Sequence, residues 1–177
     1  MSDTDIVSCT IEDGIAWVKF NRADKRNCMS PTLNRRMLEV IESIEFRDDV
    51  GVLVLSGEGT AWSAGMDLKE YFRENEHKGL HAVRKAQREA YSWWQRLRWF
   101  EKPTIAMVQG ACIAGGLMLA WVCDLIVASE DAFFQDPVNP LMGIPGVEYF
   151  AHAHELNPRI AKEFLFLGER MSAERAY

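Results

Sequence analysis

Two short stretches of the chain combine glycine with small residues where a strand turns into a helix. They are Ser63-Ala64-Gly65-Met66-Asp67-Leu68-Lys69 and Gly110-Ala111-Cys112-Ile113-Ala114-Gly115-Gly116. Small residues let a ligand approach the backbone, and the first N–H groups of a helix have no partner inside it. Two such ends converging on one point form an oxyanion hole, worth a few kcal/mol to a carbonyl that gathers negative charge. The same glycines also serve ordinary strand-to-helix packing, so spacing alone leaves both readings open.

The surrounding elements must bring these stretches together. Residues 7–11 and 15–20 read as two strands joined by Asp13-Gly14, a strong hairpin signal. Ser30-Pro31 supplies an N-cap and a proline at the first helical position, and Leu33, Met37, Leu38, Ile41 and Ile44 then recur at helical spacing. Residues 50–55 read as a buried strand feeding a loop with Gly57 and Gly59. Residues 80–101 have helical periodicity, with Trp93, Leu97 and Phe100 on one packing stripe. Lys102-Pro103 ends that helix, 104–109 reads as a strand, 110–116 as a glycine-bearing turn and 117–122 as a buried helix. Residues 125–128 form one more strand, 133–146 with three prolines an irregular loop, and 158–168 a helix stopped by glycine. This alternation predicts an α/β fold in a single domain over residues 1–177. Ser172 reads as an N-cap, so the chain stops about one turn into a helix, and a domain truncated at its C-terminus is expected.

The chain has 177 residues, with 20 Lys+Arg against 26 Asp+Glu, a formal net charge of −6. That balance, without any Lys/Arg block, argues against nucleic acid and leaves room for a small anion held by local cations. No apolar run approaches the ~20 residues of a membrane span, and the first residues lack the features of a signal peptide. Cys9, Cys28, Cys112 and Cys123 form no C-x-x-C and have no histidine at ligand spacing. They read as reduced thiols of a cytoplasmic protein, and no metal site is expected. His152 and His154, two apart on a helix, share no face.

Five segments, in order and spacing, resemble the crotonase (enoyl-CoA hydratase/isomerase) superfamily. They are Asn21-Arg22-Ala23-Asp24-Lys25-Arg26-Asn27-Cys28-Met29-Ser30, Ala64-Gly65-Met66-Asp67-Leu68-Lys69-Glu70, Lys102-Pro103-Thr104-Ile105-Ala106, Cys123-Asp124-Leu125 and Gly143-Ile144-Pro145-Gly146. The resemblance runs from about Glu12 to the end. Residues 66–73, with Tyr71 and Phe72, and residues 25–34 are similar to its hydroxycinnamoyl-CoA hydratase-lyase branch. The resemblance implies a crotonase-like spiral of ββα units whose C-terminal helical region is missing here. It also implies an acyl-CoA ligand, with coenzyme A as part of the substrate and no separate cofactor. The N–H groups of Met66 and Gly115 would form the oxyanion hole. Lys25 would lie near the CoA phosphates, Ala64, Gly65, Asp67, Leu68 and Lys69 would wrap the adenine and pantetheine, and Gly116 and Met118 would adjoin the acyl group. Tyr71 matches a tyrosine that holds a phenol, although it reads equally as a packing residue, as Lys25 does as a solvated loop lysine. Family members form trimers or pairs of trimers, so a homo-oligomer is expected of a full-length chain.

The departures concern proton transfer. Family hydratases place two glutamates around a water, one as base and one as acid. Here the first position is Met118, and the second falls on Val138 or Asn139, depending on the end from which the loop is counted. Replacement candidates are Asp136, two residues before the lost position, and Glu148, just after Gly146. A carboxylate desolvated beside a thioester could serve as general acid. The plain alternatives are a turn residue for Asp136 before Pro137 and a helix cap for Glu148; Asp67 and Asp124 read as caps or structural carboxylates. The expected function is hydration, or hydration and cleavage, of an enoyl-CoA or aromatic enoyl-CoA thioester. The rivals are a CoA-thioester-binding homologue without chemistry, and an isomerase or decarboxylase on the same fold.

Overall fold

The chain enters through the expected hairpin: β1 (Val7–Glu12) and β2 (Ile15–Phe20) pair antiparallel, in register from Val7 opposite Phe20. Asp13 (φ 50°) and Gly14 (φ 79°) both lie in the left-handed region, which a two-residue type I′ turn requires. The computed structural model describes residues 6–73, 78–143 and 151–177. Helix α1 (Pro31–Ile44) starts where the sequence places it, with the Ser30 hydroxyl accepting the Leu33 N–H at 3.1 Å, and it buries Leu33, Met37, Ile41 and Ile44.

From there the chain winds in a spiral. Three successive pairs of strands follow: β3 (Val52–Gly57) with β4 (Ala61–Ser63), β5 (Thr104–Val108) with β6 (Ala111–Ile113), and β7 (Leu125–Ala128) with β8 (Phe133–Gln135). The first strand of each pair joins a five-stranded sheet ordered β1-β2-β3-β5-β7, and the second joins a four-stranded sheet ordered β4-β6-β8-β9. Helices α2 (Leu80–Arg98) and α3 (Gly115–Val122) return the chain between pairs, and α4 (Val138–Met142) follows the last one. This is the ββα spiral that the family resemblance implies. The corner between β5 and β6 leaves no space for a side chain. At Gly110 (φ 54°), between β5 and β6, a Cβ would lie 2.0 Å from the Thr60 carbonyl oxygen.

Between the sheets and α1 and α2 lies an aromatic knot. Phe20 meets Trp62 edge-on at 5.6 Å and Trp93 at 6.4 Å between ring centroids. All three are fully buried; Trp93 and Leu97 lie on the buried face of α2, while Phe100, expected on the same stripe, is buried just beyond the end of this helix at Arg98. Every residue of α3 from Gly116 to Val122 is buried, as the apolar run predicts. The outer edge strand β7, by contrast, keeps Leu125, Ile126 and Val127 exposed.

The differences from the sequence reading are local. Strand β6 lies inside the stretch read as a turn, β4 follows the Gly59 loop unannounced, and β8 and α4 occupy much of the stretch read as irregular, whose residues 144–146 lie outside the described ones. Each of these strands has three residues, too few to display an alternating pattern. The end of the chain contains α5 (His152–Glu155), α6 (Pro158–Leu167) stopped by Gly168 (φ 62°), β9 (Met171–Ser172) antiparallel to β8, and α7 (Ala173–Ala176) capped by Ser172.

Candidate functional site

The first glycine-bearing stretch is held from the side of β2. Asn27 (φ 53°) is fully buried; its amide nitrogen donates to the Glu58 and Ala61 carbonyls at 3.0 and 2.7 Å, and its amide oxygen accepts the Arg22 N–H at 3.0 Å. The Ser63 hydroxyl donates to the Asn27 carbonyl at 2.9 Å and accepts the Gly65 N–H at 3.2 Å. Met29 and Met66 then form a parallel bridge: Met29 N–H donates to the Gly65 carbonyl at 2.8 Å, and Asp67 N–H to the Met29 carbonyl at 2.9 Å. In such a ladder the N–H between those two bonds faces the other way. The Met66 N–H therefore points away from Met29, and it has no protein acceptor among the described residues.

The second stretch comes from β6. Ala114 (φ 49°, ψ −117°) holds a conformation rare for a residue with a side chain; its N–H donates to the Gln135 carbonyl at 2.8 Å and its carbonyl accepts the Met118 N–H at 3.0 Å. Gly115 follows as the first residue of α3, where an N–H has no partner within the helix. A methyl group built on Gly65 (φ 92°) would stand 3.1 Å from the Gly115 nitrogen, and one built on Gly115 would stand 3.5 Å from the Met66 nitrogen. The Met66 and Gly115 nitrogens thus lie beside one narrow gap; glycine is required on the Gly65 side, where φ is positive and a methyl would stand 2.9 Å from the Ile113 carbonyl oxygen, whereas on the Gly115 side a methyl would meet the flexible end of Met29 at 3.1 Å and Met66 at ordinary contact distance. At Gly116 a methyl group would lie 2.5 Å from the Ser63 carbonyl oxygen, so this glycine serves close packing, and its own carbonyl accepts the Trp62 indole N–H at 3.0 Å.

Sequence reasoning passed over the residue that ties the first stretch to its neighbours. The Arg22 guanidinium donates to the Cys28 carbonyl at 2.6 Å, to Asp67 at 3.3 Å and to Glu70 at 3.0 Å. Asp67 also accepts the Glu70 N–H at 3.2 Å, so it is a cap and an ion-pair partner, as its type and place suggest. Asp124 is likewise structural, accepting both the N–H and the hydroxyl of Thr104 at 2.8 Å. Around the gap, Ala64 is half-buried and Gly65 buried, while Lys25, Leu68 and Lys69 are exposed. Beyond them a single π-helical turn (Lys69–Arg73) carries Tyr71, which is buried and accepts a hydrogen bond from the Asn34 amide on α1. Burial pushes its phenol up to about 12.

The candidate proton-transfer residues lie just after β8 and in α5. Asp136 directly follows the Gln135 carbonyl that accepts the Ala114 N–H. Asp136 is buried, with one carboxylate oxygen 2.9 Å from His152 Nε2 and the other accepting the Val138 N–H at 3.2 Å. His152 is buried too, its ring edge-on to Trp121 at 4.9 Å, and its Nδ1 has no partner among the described residues. His154 is exposed, consistent with separate faces for the two histidines. Met118 is buried in α3; Val138 opens α4, and the Asn139 amide donates to the Leu165 carbonyl at 3.3 Å. Glu148 lies outside the described residues. Buried Cys112 and Cys123 have thiols pushed well up by desolvation, which makes them poor nucleophiles. Among the described residues no three His, Cys, Asp or Glu side chains are grouped to hold a metal ion, and no helix is long and apolar enough to cross a membrane.

Comparison with known proteins agrees with this geometry. Residues 10–177 match the family model described as enoyl-CoA hydratase/isomerase. Hydroxycinnamoyl-CoA hydratase-lyase of Pseudomonas fluorescens is 53% identical over 129 residues, covering 72% of this chain and 47% of that protein. 4-Chlorobenzoyl coenzyme A dehalogenase-2 of Arthrobacter sp is 32% identical over 176 residues, covering 97% of this chain and 62% of that one. The solved structure of an enoyl-CoA hydratase from Polaromonas sp. JS666 superposes with a TM-score of 0.87 at 27% identity, covering 96% of this chain and 66% of that one. The chain therefore spans about half to three fifths of the length of these two curated relatives, 47% and 62%.

Proposed function

The chain belongs to the enoyl-CoA hydratase/isomerase family, and we infer that it processes an acyl-CoA thioester by hydration, or hydration and cleavage, of an enoyl-CoA. The observation that carries this reading is the pair of backbone N–H groups, Met66 and Gly115, beside one gap bounded by Gly65 and Gly115. A thioester oxygen seated there accepts from both. When water adds to the β-carbon, the negative charge of the enolate collects on that oxygen, where fixed donors stabilise it most. The N-terminus of α3 adds positive potential at the same point. Exposed Lys25 and Lys69 are suited to meet the CoA phosphates, one or two local cations sufficing in a chain of net charge −6.

Proton transfer falls to Asp136 and, through it, to His152, since Met118 and Val138 or Asn139 stand where the family resemblance implies glutamates. One observation favours a second reading. Both Asp136 oxygens are already engaged, by His152 and by the Val138 N–H, which suits a thioester-binding protein without turnover. The relatives' names span a hydratase-lyase and a dehalogenase, so isomerisation or decarboxylation of a thioester on the same donors belongs to this range too.

Crotonyl-CoA and feruloyl-CoA, followed by loss of thioester absorbance, test the reading. Gly65→Ala, whose new methyl at a positive φ would stand 2.9 Å from the Ile113 carbonyl oxygen and 3.1 Å from the Gly115 nitrogen and so displaces that donor, is expected to lower kcat by about 100-fold, the order of one lost oxyanion donor. Tight acyl-CoA binding with no turnover across both substrates would select the second reading, and equal kcat for Gly65→Ala and wild type would remove the oxyanion hole from either.

A further inference from the structure

The loop that presents the Met66 donor also carries the carboxylates of Asp67 and Glu70, and Arg22 meets both. Its guanidinium lies 3.3 Å from Asp67 and 3.0 Å from Glu70, with only 13% of the Arg22 side chain and 15% of the Asp67 side chain exposed. Asp67 directly follows Met66. Covalent geometry alone keeps its carboxylate within roughly 9 Å of the Met66 nitrogen. Charges act on one another over about that distance at physiological salt, and more strongly where they are largely covered. A bare carboxylate there opposes an oxyanion, since it makes the potential at the gap more negative. Its oxygen is needed all the same, as the cap that accepts the Glu70 N–H at 3.2 Å. The half-buried thiol of Cys28 feels both charges: burial pushes it up, Asp67 pushes it further, and Arg22, Arg26 and Lys25 draw it down. Cation and carboxylate thus act with opposite sign on one neighbour of the loop.

We propose that Arg22 is a positioning residue of the Met66 donor that works by charge: it turns the Asp67 carboxylate to itself and cancels it, so that an oxyanion at the gap meets the N–H without an opposing field. The bond to the Cys28 carbonyl at 2.6 Å anchors the guanidinium one residue before Met29, the partner of Met66 in the parallel bridge. The inference rests on the acyl-CoA reading for the anion that forms, and on the arrangement of charges alone for the role of Arg22.

Arg22→Gln, Arg22→Lys and the double variant Arg22→Gln with Asp67→Asn separate charge from bracing, because asparagine keeps the cap and gives up the charge. With crotonyl-CoA or feruloyl-CoA, whichever is turned over, Arg22→Gln is expected to lower kcat about fivefold and to change KM by about twofold at most, the order of one uncovered charge at this range. Arg22→Lys should stay within about twofold of wild type, and the double variant should recover more than half of the loss. A residue that only braces the loop gives the reverse: lysine fails nearly as glutamine does, and removing the second partner brings nothing back. The pH profile of Cys28 alkylation, read by peptide mass spectrometry with no substrate present, reports the same field. Its midpoint should move up in Arg22→Gln, whereas a loop merely loosened would admit water and lower it. The midpoint should return in the double variant. In Asp67→Asn alone it should move down, which covers the case in which Arg22→Gln fails to fold. Cys9, whose neighbouring cations are Arg47 and Arg36, should not move in any of them. No recovery of kcat in the double variant overturns the role of Arg22, as does a Cys28 midpoint that stays or falls in Arg22→Gln or stays in Asp67→Asn. If wild type turns over neither thioester while the Cys28 midpoints move as expected, the acyl-CoA reading falls and the cancellation of Asp67 by Arg22 stands.

Discussion

The Met66–Gly115 gap and the Asp136–His152 pair are built from different materials. On the Met66–Gly115 side the working atoms belong to the backbone, and side chains act only by being small or by holding loops in place. On the Asp136–His152 side the working atoms belong to side chains, buried and bonded to each other. A backbone donor survives almost any substitution that leaves the loop intact, whereas a side-chain acid is lost in one step. A scaffold built this way keeps its capacity to stabilise an enolate while the residues that move protons change around it. Under the proposed function, the identity of the reaction would be decided at Asp136.

That contrast can be broken most directly at the buried pair. His152→Ala leaves the Asp136 carboxylate without its partner and opens a cavity beside Trp121, so we expect a loss of about 3 kcal/mol in chemical denaturation. Replacing the pair together, Asp136→Leu with His152→Phe, should recover more than half of it, because apolar residues of similar volume commonly substitute for a buried pair. A His152→Ala variant as stable as wild type would mean that the pair does not hold this side together. The next effect is in the alkaline range. Tyr71 binds its proton more tightly in the folded chain, up to about 12 against an ordinary 10.0. The corresponding stability is fully present below about pH 10 and is lost as pH rises toward 12. Tyr71→Phe should flatten that arm of a stability-versus-pH curve, and the buried Cys112 and Cys123, unchanged in both proteins, cancel in the difference. The smallest effect sharpens the contrast from the backbone side: Met66→Ala keeps the N–H donor, so kcat should fall by about threefold or less. A far larger fall, with thioester binding retained, would move part of the work to the Met66 side chain.

Much of the backbone side was legible in the sequence, and for a physical reason. Gly65 and Gly116 are glycines because neighbouring carbonyl oxygens come within 2.9 and 2.5 Å of where a Cβ would be, and such constraints write themselves into residue type. The Asp13-Gly14 hairpin and the Ser30-Pro31 helix start were readable on the same ground, since turn and cap geometry admits few residues. Strands β4, β6 and β8 were not, because three residues carry no period. Nor was the Asp136–His152 pair, whose members lie 16 residues apart and meet only through tertiary packing. Arg22 stood in plain view inside a family-like segment, yet nothing in its neighbours announces that its guanidinium reaches Asp67, 45 residues away.

Ala114 carries a consequence for how the protein would fail on heating. Its positive φ is tolerated only while the Gln135 carbonyl on β8 holds its N–H and the Met118 N–H holds its carbonyl. If β8 loosens, the cheapest relaxation is a rotation of this one peptide toward an ordinary conformation, which swings the Gly115 N–H off the gap while the five-stranded sheet and the helices remain intact. Inactivation then precedes melting, and an assay loses signal at a temperature where circular dichroism still reports a folded chain.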